Sequence, residues 1–272
     1  MGGFKNSGAK MTNRGIWGRY LLPLFVAKLY LFLYVPLIIL IVFSFNDNRL
    51  GFDWVGFTTR WYVSVWKNQE MWRSLHTSLV VACSSVVLCL SMSTLFVFYG
   101  TRSFVRRAMA LFYGNLAIPE IVLAVGLMSL FYFFSVPLSI STLIAAHTVL
   151  GLGYVVPIVH DRYVELDNRF VEASMDLGAT QWQTFRRVVL PLLFPALLTS
   201  ALLVFIISFD DFVLSFFCSG GSTVTLPMFI FAKIRSGSSP LVSALSTMLL
   251  FLSSIVVLLF LALQSRKWGQ LR

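Results

Sequence analysis

Three acidic residues lie inside apolar stretches of the sequence, and their chemistry asks for an explanation. Glu120 directly follows Pro119, and Asp210 and Asp211 are adjacent in the stretch SFDDFV. A charged side chain at the centre of a bilayer costs about 3 kcal/mol, so such residues usually face a cavity or a partner. The three carboxylates are candidates for a path that a cation follows. Alternatively, Glu120 satisfies backbone groups that Pro119 leaves free.

A second group of charged residues lies in the segment EASMDLGATQWQTFRRVVLP, residues 172–191. Asp167 can cap a first short helix, and Gly178 can end it in a left-handed conformation. Thr180 and Gln183 form a capping box for a second helix, which is expected to end at Pro191. The charged side chains left for a partner are Glu172, Asp176, Arg186 and Arg187. The residues alone leave a second interpretation open, a folded loop that rests on the membrane surface.

The elements that must position these residues are membrane helices. Hydrophobic residues make up 58% of the chain and charged residues 12%, against about half and about a quarter in a soluble domain. Runs of about twenty apolar residues, long enough to cross a bilayer, recur along the chain. The six expected spans are 24–45, 74–99, 108–134, 140–160, 192–218 and 241–263. The sequence therefore predicts an all-α membrane protein with six transmembrane helices.

Lys and Arg residues in the connections predict the orientation. Fifteen lie on the side of both termini and of residues 172–191, and six lie on the other side. By the positive-inside rule, both termini are cytoplasmic. The expected division is a basic N-terminal segment (1–28), a six-span domain (29–265) with a cytoplasmic loop at about 161–191, and a basic C-terminal tail (266–272). The net charge of +10 then faces anionic lipid of the bilayer, and no nucleic-acid partner is expected.

A continuous fifth span would separate the two adjacent acids. Ser208, Asp211 and Ser215 are three and four residues apart and form a polar stripe on one helix face. Asp210 points about 100° away from Asp211 and has apolar neighbours at the same spacings. Asp211 is therefore expected to face the path, and Asp210 is expected to act through stability or helix contacts.

Several kinds of site lack their sequence patterns. Cys83, Cys89 and Cys218 show no metal spacing, and no Gly-rich phosphate loop precedes Lys-Ser or Lys-Thr. We therefore expect no catalytic residue, metal or cofactor, and no ATP bound through such a loop. A membrane enzyme would need convergent catalytic groups, and a secondary transporter would show two related halves, which the sequence does not.

The segment 172–191 resembles the EAA loop of bacterial ABC importer permeases. That pattern is Glu-Ala-Ala, three residues, Gly, nine residues, Ile, one residue, Leu-Pro. Here Ser174 replaces the second Ala, and Val188 replaces the Ile. In that family the loop is a coupling helix that sits in a groove of a separate ATPase. The resemblance implies that the coupling residues are Glu172, Ala173, Ser174, Asp176, Gly178, Leu190 and Pro191.

Other stretches extend the resemblance over most of the chain. They are FLYVPLIILIVFSFN (32–46), IPEIVLAVGL (118–127), SFDDFVLSFF (208–217) and TLPMFIFAKIRSGSSPLVSAL (225–245). Together they resemble the second permease subunit of spermidine/putrescine importers. The resemblance implies a type I permease fold in the bacterial cytoplasmic (inner) membrane, without enzymatic activity of its own. It also implies an ATPase dimer, a second nonidentical permease and an extracytoplasmic polyamine-binding protein. A permease for another cation or a small organic solute stays as the alternative.

Overall fold

The computed structural model describes residues 14–48, 53–221, 223–237 and 239–269, and their regular structure is helical apart from one isolated bridge between Asn46 and Phe57. The helices are α1 (Arg14–Phe43), α2 (Arg60–Lys67), α3 (Gln69–Tyr99), α4 (Arg102–Ala117), α5 (Glu120–Phe133), α6 (Ile140–Glu165), α7 (Asn168–Asp176), α8 (Gln181–Thr184), α9 (Leu190–Asp210), α10 (Val213–Cys218), α11 (Leu226–Arg235) and α12 (Ser239–Gly269). A π-helical turn, Phe185–Val189, joins α8 to α9. The all-α class predicted from the sequence is confirmed.

The chain forms two compact units. One unit draws on the two ends of the chain, up to Lys67 and from Ser236, and the other is Asn68–Arg235. In the first unit, α12 packs against α1 and α2. The second unit contains α3 to α11 and all the candidate site residues named above. Of the expected terminal segments, residues 1–13 and 270–272 lie outside the described residues, whereas 14–28 and 266–269 are helical.

Within the part of the chain that the structure describes, four helical stretches are long and apolar enough to cross a membrane: Pro23–Phe43, Gln69–Tyr99, Ile140–Glu165 and Gln181–Asp210. A fifth span results if the bent pair Ser103–Ala117 and Glu120–Phe133 is counted as one. In α12, the apolar stretch found among the described side chains, Pro240–Ile255, is shorter. Each of the six expected runs thus falls mostly on helix, two of them are broken, and four or five qualify as spans by length and hydropathy among the described residues.

The third expected span, 108–134, is not one straight helix. It is broken between Ala117 and Glu120, and the two halves meet at 111°. Pro119 lacks a backbone N–H and disfavours the helical conformation in the residue before it, and Ile118 is indeed extended, at φ −78° and ψ 131°. The break makes Glu120 the first residue of α5 rather than a residue in the middle of a span.

The fifth expected span, 192–218, is also broken. The helix α9 ends at Asp210, Asp211 is extended at φ −70° and ψ 126°, and α10 begins at Val213. The Asp211 carboxylate accepts hydrogen bonds from the backbone N–H groups of Leu214 and Ser215. Such a side chain offers the backbone an alternative to the continuous helix.

The core of the second unit lies where α3, α6 and α9 meet. Its buried apolar side chains are Cys89, Val97, Val155, Val159, Phe185, Val189, Leu193, Leu197 and Val204. Gly151 of α6 allows the three helices to approach. A Cβ atom at Gly151 would lie 2.7 Å from Cys89 Sγ and 3.1 Å from Val204 Cγ1, closer than a close-packed interior tolerates. This core includes Phe185 and Val189, next to the segment 172–184, and Leu193, Leu197 and Val204 of the helix that ends at Asp210.

Candidate functional site

The coupling segment, residues 167–191, folds locally as its capping residues predict. Asp167 Oδ1 accepts a hydrogen bond from the Arg169 N–H at 3.0 Å, and α7 follows. Gly178 has φ +83°, a left-handed conformation that side chains disfavour. Thr180 and Gln183 form the expected capping box, with reciprocal bonds of 2.9 and 3.3 Å. The two caps and the turn between the helices are confirmed.

The sequence predicted that the second helix of the segment ends at Pro191, and this prediction is wrong. Helical structure continues without a break from Gln181 to Asp210. In the π-helical turn Phe185–Val189, the Leu190 N–H donates to the Phe185 carbonyl. Pro191 removes one backbone donor, and a local π-helical adjustment is one way in which a helix accommodates a proline. The coupling segment is therefore continuous with the span that leads to Asp211.

Phe185 packs in the core and holds the coupling segment against it. Its side chain is 5% exposed, and its ring lies 5.0 Å from that of Phe98 and 6.2 Å from that of Tyr99, at the end of α3. The Phe185 ring also stacks on Trp182, with 5.5 Å between the ring centroids. A hydroxyl pair, Ser174 and Thr184, joins α7 to α8 at 3.0 Å. The residues at the end of α8 therefore pack directly against the core.

The coupling segment also exposes apolar side chains. They are Phe170, Met175, Leu177 and Trp182, of which Leu177 is 89% exposed. Of the residues that the resemblance assigns to coupling, Ser174 and Leu190 are half-buried, and the exposed ones are Glu172, Ala173, Asp176, Gly178 and Pro191. An exposed patch that mixes apolar and charged groups is typical of a protein-binding surface.

The second group of candidate residues surrounds the break in the fifth span. The side chain of Asp211 is 2% exposed, and its Oδ2 accepts from the Ser215 N–H at 2.9 Å. The same Oδ2 lies 3.5 Å from His147 Nε2, on α6. His147 Nδ1 lies 3.0 Å from Ser208 Oγ. The three residues of the polar stripe predicted for the fifth span therefore all contact one residue, the buried His147.

The other two acids are more accessible. Glu120 and Asp210 are exposed, and Glu120, the first residue of α5, lies near Asp211, because α5 packs against α10 and the two carboxyl groups interact. The structure thus joins Glu120 and Asp211, on two broken spans, and leaves Asp210 on the last turn of α9. Among the described residues, no group of three or more His, Cys, Asp or Glu side chains could hold a metal ion.

Sequence reasoning missed His147. Its contacts with Ser208 and Ser215 link residues that are 61 and 68 positions apart. The one local signal was its place within an apolar run, IAAHTVLGLG, where an isolated polar side chain needs a hydrogen-bond partner.

Comparisons with known proteins match most of the chain to permease components of transport systems. The family described as "binding-protein-dependent transport system inner membrane component" matches residues 97–269. The spermidine/putrescine transport system permease protein PotC of Escherichia coli K12 is 36% identical over 248 residues, which are 89% of this chain and 92% of PotC. PotC of Haemophilus influenzae is 35% identical over 238 residues, 86% and 93% of the two chains. The putrescine transport system permease protein PotI of E. coli K12 is 31% identical over 239 residues, 83% and 84%.

A solved structure supports the fold independently. A bacterial ABC transporter involved in the import of the acidic polysaccharide alginate contains a chain that matches with a TM-score of 0.68. The match covers 96% of this chain and 99% of that chain at 16% identity, and it shows an all-α type I permease fold. The family match spans more than half of the sequence, and the relatives match over most of their lengths. The chain belongs to the family of inner membrane components of binding-protein-dependent transport systems.

Proposed function

We propose that this chain is the permease subunit of an ATP-driven importer for polyamines such as spermidine and putrescine. The observation that carries the proposal is the placement of Glu120 and Asp211 near each other at the breaks of two spans, where α5 packs against α10, in a chain 36% identical to a spermidine/putrescine permease. The second candidate function is a permease for another cation, which the same acids would favour.

The acid pair supports a cationic cargo on physical grounds. Two carboxylates in contact repel each other unless a proton or a cation shares the space between them. An ammonium group can replace the water that such carboxylates lose within a membrane. Glu120 and Asp210 are exposed, whereas Asp211 is buried at the break between α9 and α10. We therefore include all three acids in the proposed substrate path.

The family works with a separate ATPase and a substrate-binding protein. More specifically, we propose an ATPase dimer, a second nonidentical permease and an extracytoplasmic polyamine-binding protein as partners. The surface proposed for the ATPase is the exposed patch of the coupling segment, with Glu172, Asp176 and Gly178 beside the apolar side chains Leu177 and Trp182. Its direct helical connection to Asp211 supports a route from ATP hydrolysis to the acid pair.

Uptake measurements test the substrate. We expect cells that express the complete transporter to take up radiolabelled putrescine or spermidine, and an uncharged sugar to be excluded. A matched strain with an ATPase variant unable to hydrolyse ATP should show background uptake. Transport of the sugar, with neither polyamine imported, would show that the substrate class is wrong even though the chain is a permease.

The orientation can be tested by cysteine labelling. In a background without Cys83, Cys89 and Cys218, a cysteine at Gln181 should react with a membrane-impermeant thiol reagent only from the cytoplasmic side. A cysteine at Gln69, the exposed first residue of α3, should react only from outside. The reason is the excess of Lys and Arg on the side of the coupling segment. Reversed labelling would contradict the proposed direction of coupling.

A further inference from the structure

His147 is a fully buried polar residue to which the proposed path assigns no role. Its imidazole, on α6, spans the break in the fifth span: Nδ1 lies 3.0 Å from Ser208 Oγ on α9, and Nε2 lies 3.5 Å from Ser215 Oγ on α10. Nε2 is also 3.5 Å from Asp211 Oδ2, between the two helices. One side chain thus contacts both sides of the break and the acid within it.

One placement of hydrogens satisfies the main contacts. The Ser208 hydroxyl donates to Nδ1, and an N–H at Nε2 faces the Asp211 carboxylate, since a neutral imidazole has one donor and one acceptor. The Asp211 oxygens also accept from the backbone, Oδ1 from Leu214 at 3.3 Å and Oδ2 from Ser215 at 2.9 Å. Backbone and imidazole together hold the carboxylate in one orientation.

We propose that His147 is a positioning residue, which holds the Asp211 carboxylate against the start of α10, on the side of the break where α5 and Glu120 pack. This inference rests on the proposed function. His147 acts through Asp211, because its imidazole is fully buried against that carboxylate. The exposed Glu120, and not His147, is accessible to a cargo. The competing explanation is a core histidine that only satisfies two serine hydroxyls.

Three substitutions separate these explanations. His147→Gln can place an amide N–H near the position of Nε2, toward Asp211. His147→Asn can place its amide near Nδ1, toward Ser208, and His147→Leu removes both interactions at a similar volume. At equal membrane abundance we expect the Gln variant to keep polyamine uptake within about threefold of wild type. We expect the Asn and Leu variants to lose about tenfold, within the range of coupled neighbours.

A double mutant distinguishes a positioning role of His147 from a purely structural role. If His147 acts through Asp211, adding His147→Leu to Asp211→Asn should lower uptake no further than Asp211→Asn alone. Losses that multiply in the double mutant would overturn the proposal. So would a Gln variant as impaired as the Leu variant, because the two differ in the donor toward Asp211.

A second measurement separates this inference from the proposed substrate. The ATPase activity that the binding protein stimulates in proteoliposomes can be followed for the same variants, and it does not require a polyamine cargo. We expect the same order, with Gln near wild type, Asn and Leu impaired, and no further loss in the double mutant. A stimulated wild type without polyamine uptake would refute the substrate alone. ATPase stimulation equal to that of the wild type in the Gln, Asn and Leu variants would refute the role of His147.

Discussion

Replacement of Gly178 by valine should separate the permease from its ATPase. Gly178 has φ +83°, and no atom lies within 4 Å of the position that a Cβ would take, so the backbone conformation alone sets the cost. A left-handed conformation costs an ordinary side chain about 1–2 kcal/mol, and a β-branched one at least as much. Because the turn orients α7 against α8, we expect the exposed patch to lose its shape. Copurified ATPase and uptake should fall about tenfold or more.

The matched control is Gly178→Asn. Asparagine adopts left-handed conformations more readily than other side chains and fits the same open space. It should retain most of the ATPase, and Gly178→Ala should fall between the two variants. A valine variant with a full complement of ATPase and full uptake would show that the coupling segment is not the docking element. An asparagine variant as defective as valine would show that the backbone conformation is not the cause.

The local structure of the coupling segment could be predicted because its determinants are close together in sequence. A cap acts over two or three residues, and Asp167, Thr180 and Gln183 form the expected bonds. Gly178 likewise needs only its own φ angle. The recognised spacing in 172–191 supplied the interpretation that local physics left open, since a capped helix pair can equally rest on a membrane surface.

The helix breaks could not be predicted from prolines. Pro191 does not end its helix, whereas Pro119 lies within a break of 111°. Pro23, Pro36, Pro157 and Pro195 lie inside helices. The outcome depends on whether neighbouring groups satisfy the freed carbonyl, which tertiary packing decides. Hydropathy does not register this difference, so the third expected span ran through Pro119 without a break of this size, and the coupling helix was expected to stop at Pro191.

The surroundings of Asp211 show the same limit. A helical projection groups Ser208, Asp211 and Ser215, and all three do contact one residue, His147. The projection assumed an uninterrupted helix with an open path beside it. The actual partner is on α6, and Asp211 is buried at the start of α10. The sequence therefore predicted which residues meet, but neither the histidine between them nor the helix break.

This geometry changes what the two aspartates should do when mutated. Asp211→Asn is expected to lower both uptake and the stability of the assembled transporter. Both carboxylate oxygens accept backbone N–H groups, so the new amide nitrogen would face a donor. An unsatisfied buried group costs about 1–3 kcal/mol. Asp210→Asn, at an exposed position, should leave stability near wild type. Thermal unfolding of the purified complex and uptake at matched abundance measure the two effects.

Glu120→Gln is the matched variant on the other side of the pair. It keeps the shape of an exposed side chain and removes the charge beside Asp211. Because like charges in contact disfavour each other, the folded transporter should be no less stable than wild type. Polyamine uptake should nevertheless fall, since the ammonium group loses one carboxylate. Wild-type uptake by Glu120→Gln would remove Glu120 from the path. A fully stable Asp211→Asn would show that the carboxylate is not needed to hold the start of α10.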